Sequence, residues 1–217
     1  MNGINTLAAQ GLSAFLAELD KRPLTSLHLE QGDVLLTQGQ VVERLYWIEL
    51  GEFGLECVAE NGRAYSLGRH FVSQHLFGEV EFLSQKPCQF TVVANESVEV
   101  FILPITVFET ILRESPQISW WLSHSLACRY QEGMSLTMKR FLHPLIYNIA
   151  WDIKLREQGL TEPVNFSQIN KEATRFGCSE RVYRRVLKQL IDMDLLIKRD
   201  GVVVIKDHQE LENFLLN

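Results

Sequence analysis

Four cations in the C-terminal part of the chain are spaced so that they act together. In the stretch FSQINKEATRFGCSERVYRRVLKQLIDMDLLIKRDGVVVIK, Arg181, Arg184, Arg185 and Lys188 stand at i, i+3, i+4 and i+7. On a helix these positions share one face. Guanidinium groups so presented can pair with phosphate oxygens and bind base edges bidentately. Val182, Val186 and Leu190, widened by Leu187 and Ile191, place an apolar stripe on the other side. A helix anchored on one face and cationic on the other suits a DNA major groove flanked by phosphates. From Lys171 to Lys188, Lys171 and Arg175 join these four cations against only Glu172 and Glu180, in a chain whose overall charge is −6.

Short elements must position that face. The residue pattern predicts a first helix from Ser167, its N-cap, to Phe176, and a turn at Gly177. Ser179 then caps a second helix from Glu180 to Met193. Leu195–Ile197 and Val202–Ile205 flank Lys198-Arg199-Asp200-Gly201, where Asp-Gly is a hairpin signal. Two helices, a tight break and a hairpin make a winged helix-turn-helix. Its expected DNA contacts are Arg181, Arg184, Arg185 and Lys188, with Ser179 and Glu180 near the helix start.

The preceding chain has a different texture. Leu7, Leu12, Phe15, Leu16 and Leu19 give helical spacing over residues 4–19. From Ser26 to Pro104, short β-rich runs alternate with glycine turns, Gly51 among them, as in an antiparallel sandwich or barrel. A short helix follows over Val107–Leu112. Ser115-Pro116 then opens a helix from Gln117 to Leu142, about 38 Å long at the helical rise. Its strip of Ile118, Trp121, Leu122, Ser125, Leu126 and Cys128 either packs on its own barrel or pairs with a second copy about a two-fold axis. Pairing is the reading a DNA-binding dimer requires. Another helix runs over residues 145–158, with Ile146, Ile149, Ala150, Ile153, Trp151 and Leu155 inward, and Gly159 closes it. Glu162-Pro163 leads into a strand at Val164-Asn165-Phe166, and Leu211, Phe214 and Leu215 mark an amphipathic tail. The divisions expected are 1–115, 116–142 and 143–217.

Composition bounds the function. With 46% hydrophobic and 22% charged residues, no leader-like start and no apolar run long enough to span a bilayer, the expectation is a soluble cytoplasmic protein. Residues 142–217 hold 11 basic and 11 acidic residues, so the whole negative balance lies in the first 141. Cys57, Cys88, Cys128 and Cys178 form no C-x-x-C pair, and His70 and His75 match no compact metal motif. No metal, iron–sulfur cluster or haem is therefore expected. The chain has no P-loop and no Gly-x-Ser-x-Gly, and enzyme activity is not expected.

Taken in order, the Leu45-Tyr46-Trp47-Ile48-Glu49-Leu50-Gly51 strand, the Phe77-Gly78-Glu79 turn, the Phe101–Pro104 strand exit and Gly177-Cys178-Ser179 resemble the catabolite-activator/FNR (CRP/FNR) superfamily of bacterial transcription regulators. The Gly-Glu-x-Glu-x-Leu run at Gly78 is similar to that of its YeiL-type branch. The resemblance implies an α+β chain with an N-terminal cyclic-nucleotide-binding-type β jelly roll, a long central dimerisation helix and a C-terminal winged helix-turn-helix. It implies double-stranded DNA, a second copy of the chain and RNA polymerase as partners, and a ligand pocket at Gly78, Glu79, Gln89 and Phe90. In the family an arginine followed by serine or threonine closes the phosphate cassette. Here Gln89 and Phe90 stand there, so cyclic AMP is not the expected effector. Two other readings remain. One is a signal-binding or protein-interaction module whose winged helix meets a protein. The other is a redox sensor acting through Cys178 or Cys88.

Overall fold

The computed structural model describes residues 2–156, 164–165 and 168–216. The expected cap at Ser167, helix end at Gly159, Glu162-Pro163 and Phe166 lie outside them. The chain divides into two compact units, Met1–Cys57 with Leu67–Gly133, and Val58–Ser66 with Met134–Asn217.

The first unit begins with α1 (Asn2–Asp20). The strands β1 (Thr25–Leu29), β2 (Val34–Leu36), β3 (Arg44–Val58), β4 (Ala64–Phe77), β5 (Thr91–Ala94) and β6 (Val98–Pro104) form one sheet in the order β1-β6-β3-β5-β2, with β4 paired to β3. The pairings of β1 with β6, β2 with β5, and β3 with β5 and β6 are antiparallel, and besides β4 the strand β3 takes two partners in succession. Its start, Arg44–Trp47, lies against β6, whereas Phe53–Glu56 lies against β5. One strand shared along its length between two partners curls the sheet into a roll. The β-rich runs on either side of Gly51 are thus a single strand, and Gly51 is not a turn. A Cβ on Gly51 would stand 2.8 Å from Val98 Cγ2, so the glycine admits close packing inside a continuous ladder. Leu45, Ile48, Phe53, Val100 and Leu103 fill the roll with no exposure.

The helices α2 (Glu79–Ser84), α3 (Ile105–Glu114) and the first half of α4 (Ile118–Leu142) complete this unit. Phe15 of α1 stacks on Trp121 of α4 at 5.0 Å and meets Trp47 edge-on at 5.3 Å. Ile118, Trp121 and Leu122 are buried in this core, so that part of the strip packs on its own roll. Trp120, Tyr130, Met134, Met138 and Phe141 are exposed along α4.

The second unit contains the end of α4, then α5 (Leu145–Leu155), β7 (Val164–Asn165), α6 (Ile169–Arg175), α7 (Glu180–Asp192), β8 (Leu196–Arg199), β9 (Val202–Ile205) and α8 (His208–Leu216). β9 lies between β7 and β8 in a three-stranded antiparallel sheet. Asp200 and Gly201, with φ of 48° and 81°, turn the β8–β9 hairpin, as the Asp-Gly signal predicts. Ile149, Ala150 and Ile153 of α5 join Ile169, Tyr183, Leu187 and Leu190 in one core, and Leu211 seals it. Trp151 and Leu155 are only half-buried, on the outer side of α5. The 3.6-residue period allows one face inward, and Ile149, Ala150, Asp152 and Ile153 occupy it.

Candidate functional sites: a cationic helix face and a buried ion pair

Ser179 has extended backbone, and its Oγ accepts a hydrogen bond from the Val182 amide at 3.3 Å, the N-cap its position predicts. Past it, α7 buries Tyr183, Val186, Leu187 and Leu190. Tyr183 takes the innermost place that the sequence pattern gives to Val182, which is half-buried. Arg181, Arg184, Arg185 and Lys188 are all exposed and leave on the opposite side. Arg184 Nε donates to Glu180 Oε1 at 2.9 Å, so one cation is tied to the carboxylate one turn back. Among the described residues, Arg181, Arg185 and Lys188 have no recorded carboxylate partner.

Arg175 belongs to a different construction. Arg156 Nε donates to Asp152 Oδ2 at 2.8 Å, and its Nη1 and Nη2 donate to Glu172 at 3.2 and 2.6 Å. Arg175 donates to Asp152 at 2.8 and 3.1 Å and to Glu172 at 2.9 Å. The result is a closed ring of two guanidinium groups and two carboxylates joining α5 to α6. Arg156 and Glu172 are 8% exposed and Asp152 is 9%. Arg175 and Glu172 therefore cancel internally, and the cationic excess comes from the exposed residues of α7 together with Lys171 of α6. Burial raises the Asp152 carboxyl above its ordinary range, opposed by Arg156 and then Arg140. The Tyr183 hydroxyl, buried with no hydrogen-bond partner among the described residues, lies among these charges and is pushed up, first by burial.

In the roll, Gly78 has φ of 92°, and a Cβ there would meet Leu45 and Val42 at 3.0 and 3.1 Å. Glycine is what lets the chain turn into α2 at this point. Glu79 follows, 2% exposed. Its carboxylate accepts from Nη2 of Arg129 on α4, whose Nη1 reaches His75 Nε2 at 3.1 Å. His75 must then be the neutral Nδ1–H tautomer. Burial, then Arg129, then His70 hold its pKa down at about 3. Burial pushes the Glu79 carboxyl up, and Arg129 pulls it back. Gln89 is exposed and Phe90 half-buried, and neither is hydrogen-bonded to this pair. Glu79, next to Gly78, is thus brought together with Arg129 and His75, and no recorded hydrogen bond joins Gln89 or Phe90 to them among the described residues. Sequence reading missed Arg129 because its partner lies 50 residues away on another element.

The thiols fit redox chemistry poorly. Burial pushes Cys88 up to about 11 and raises Cys178, which disfavours the reactive thiolate. Among the described residues, no group of three or more His, Cys, Asp or Glu is arranged to hold a metal, and no helix is long and apolar enough to cross a membrane.

Residues 26–115, the strands of the roll with α2 and α3, match the cyclic nucleotide-binding domain family. None of the curated proteins matches the chain. Among solved structures, a transcriptional regulator of the CRP/FNR family from Eubacterium rectale is 17% identical with a TM-score of 0.74, over 93% of each chain. CLP of Xanthomonas campestris, described as a c-di-GMP responsive global regulator, is 16% identical with a TM-score of 0.71, over 92% of this chain and 99% of that one. FixK2 from Bradyrhizobium japonicum is 14% identical with a TM-score of 0.63, over 88% and 97%. At such identities the likeness is one of fold: a cyclic nucleotide-binding-type jelly roll followed by a long helix and a helical C-terminal domain, as in the CRP/FNR regulators.

Proposed function

We propose that the chain is a non-enzymatic transcription regulator of the CRP/FNR type, a homodimer that reads double-stranded DNA through α7. The observation that carries this reading is the division of α7. Tyr183, Val186, Leu187 and Leu190 are locked in the core, while Arg181, Arg185 and Lys188 are exposed without recorded acidic partners. A cationic ridge held rigidly from behind, with a capped N-terminus and an adjacent hairpin, matches the geometry of a major-groove reader. The exposed Tyr130, Met134, Met138 and Phe141 of α4 repeat every three or four residues, which supports pairing of that helix with a second copy. Paired recognition helices would meet half-sites about 34 Å apart. The sensor boundary near residue 115 and the helix over 116–142 follow the same reading, and RNA polymerase is the further partner it entails.

The residues of the roll do not fit a cyclic nucleotide. Glu79, which would take the ribose hydroxyl, is already paired to Arg129. The cassette offers Gln89 and Phe90 where a phosphate needs a cation. Any effector of the roll would have to displace Arg129 or bind beside it.

Titration of a duplex selected from a random pool, at rising salt, tests DNA reading directly. Affinity should fall steeply and linearly on logarithmic axes. Salt-independent binding, or a winged helix that captures protein and no DNA, would move the function to the protein-interaction alternative.

A further inference from the structure

On the outer side of α5, away from the ion-pair ring, the second unit has a cleft of about 450 Å³. Its walls are the last turns of α4, one face of α5 and the C-terminal turns of α8. Tyr147, Trp151 and Lys154 stand at i, i+4 and i+7 of α5, and Leu215 closes the apolar floor. Lys139 Nζ lies 3.4 Å above the Trp151 ring centroid. Lys154 Nζ pairs with Glu212 at 2.8 Å. Among the described residues, Lys139 has no recorded carboxylate partner, and the indole face is what holds it.

We propose that this cleft binds a small monoanion with a flat apolar body, a carboxylate on an aromatic ring. Two ammonium groups against one carboxylate leave a single positive charge, which one negative charge balances and a dianion exceeds. Lys139 covers one face of Trp151 and His143 stacks on one face of Tyr147 at 4.0 Å, so the second face or edge of each ring, with Leu215 as an aliphatic wall, suits a planar apolar body. The volume lies within the roughly 300–1,000 Å³ of small-molecule clefts. Burial, and then Lys154, hold Lys139 below the ordinary lysine range, as an uncompensated ammonium at the edge of an apolar floor should be. A bound carboxylate would sit between Lys139 and Lys154 and relieve their repulsion, with its ring on Trp151. This inference does not rest on DNA binding.

Calorimetric titration of the full chain with 2-naphthoate and with its neutral isostere 2-naphthamide tests it. The acid should bind at least about tenfold more tightly than the amide, the factor that roughly 1.4 kcal/mol of ion pairing supplies. Lys139→Gln should remove that advantage and leave the amide unchanged. Glu212→Gln should tighten the acid several-fold by freeing Lys154. Trp151→Leu should weaken acid and amide together; should it unfold the unit, the lysine variant decides alone, because Lys139 supports no core. Equal binding of acid and amide, an acid affinity unchanged in Lys139→Gln, or no binding of either probe would overturn the proposal.

Discussion

Replacing Arg156 by methionine takes one guanidinium out of the ring that joins α5 to α6. The side chain is 7% exposed, and its acceptors Asp152 and Glu172 are 12% and 11% exposed, so water can do little to screen what remains. Three hydrogen bonds to carboxylate oxygens disappear, and of the two guanidinium groups in the ring only that of Arg175 is left to face the two buried carboxylates. Breaking a buried pair by removing one partner costs about 3–5 kcal/mol. A domain's whole stability is about 5–15 kcal/mol, so Arg156→Met should remove a large share of the stability of the second unit. The loss has a pH signature. Burial already raises the folded-state pKa of Asp152, and removing Arg156, an opposing influence, raises it further. A raised carboxyl stabilises the folded state below its unfolded pKa, and that stabilisation is lost as pH rises through the folded pKa. The deficit of the variant should therefore shrink on acidification from pH 7 toward pH 5. Urea unfolding followed by circular dichroism at both pH values measures this. A variant within about 1 kcal/mol of the parent at pH 7, well under the cost of a broken buried pair, would show that the ring does not hold the helices.

Four further outcomes follow from the same geometry. Arg185→Ala should weaken specific DNA binding by about 1–3 kcal/mol and relax discrimination at one base position, whereas Lys188→Ala should weaken all sequences alike and reduce the salt slope by about 1, both read by fluorescence anisotropy. Ser179→Ala should cost about 1 kcal/mol of stability in thermal unfolding through loss of the cap to Val182. A Cβ at Gly11 would stand 2.6 Å from the Gln117 carbonyl oxygen and 3.0 Å from Trp121 Cβ, so Gly11→Val should destabilise the first unit by about 1–3 kcal/mol in urea unfolding. Arg129→Met leaves Glu79 buried without its guanidinium and raises its carboxyl further. The variant should lose stability relative to the parent as pH rises from 5 to 8, and Glu79→Gln in the same chain should restore part of it.

What the sequence made legible was local. The Asp200-Gly201 turn, the Ser179 cap and the outward grouping of Arg181, Arg184, Arg185 and Lys188 each depend on residues within one or two turns of each other. The order of motifs from Leu45 to Ser179 carried the fold class. Pairings between distant elements were not legible. Arg129 looks like any cation on an amphipathic helix until the roll brings Glu79 and His75 to it. Arg175 and Glu172 read as members of the charge cluster around α7, although one sign was available: Asp152 and Arg156 share the face of Ile149 and Ile153, where a charged residue must find a partner. Gly51 read as punctuation because a glycine needed for close approach is the same letter as one needed for a turn. Only the ladder running past it on both sides separates the two.

The strand β4 is fourteen residues long and pairs with β3 off the main path of the sheet. A straight border of that length would invite another chain to zip onto it. Gly68 and Gln74 adopt φ of 90° and 49°, so the border is crimped twice along its run. Between the crimps stands Arg69, exposed and paired with Glu52 of β3. Purified protein should accordingly stay dispersed at high concentration, and straightening the crimp with Gln74→Val should turn this margin into a nucleus for fibrils.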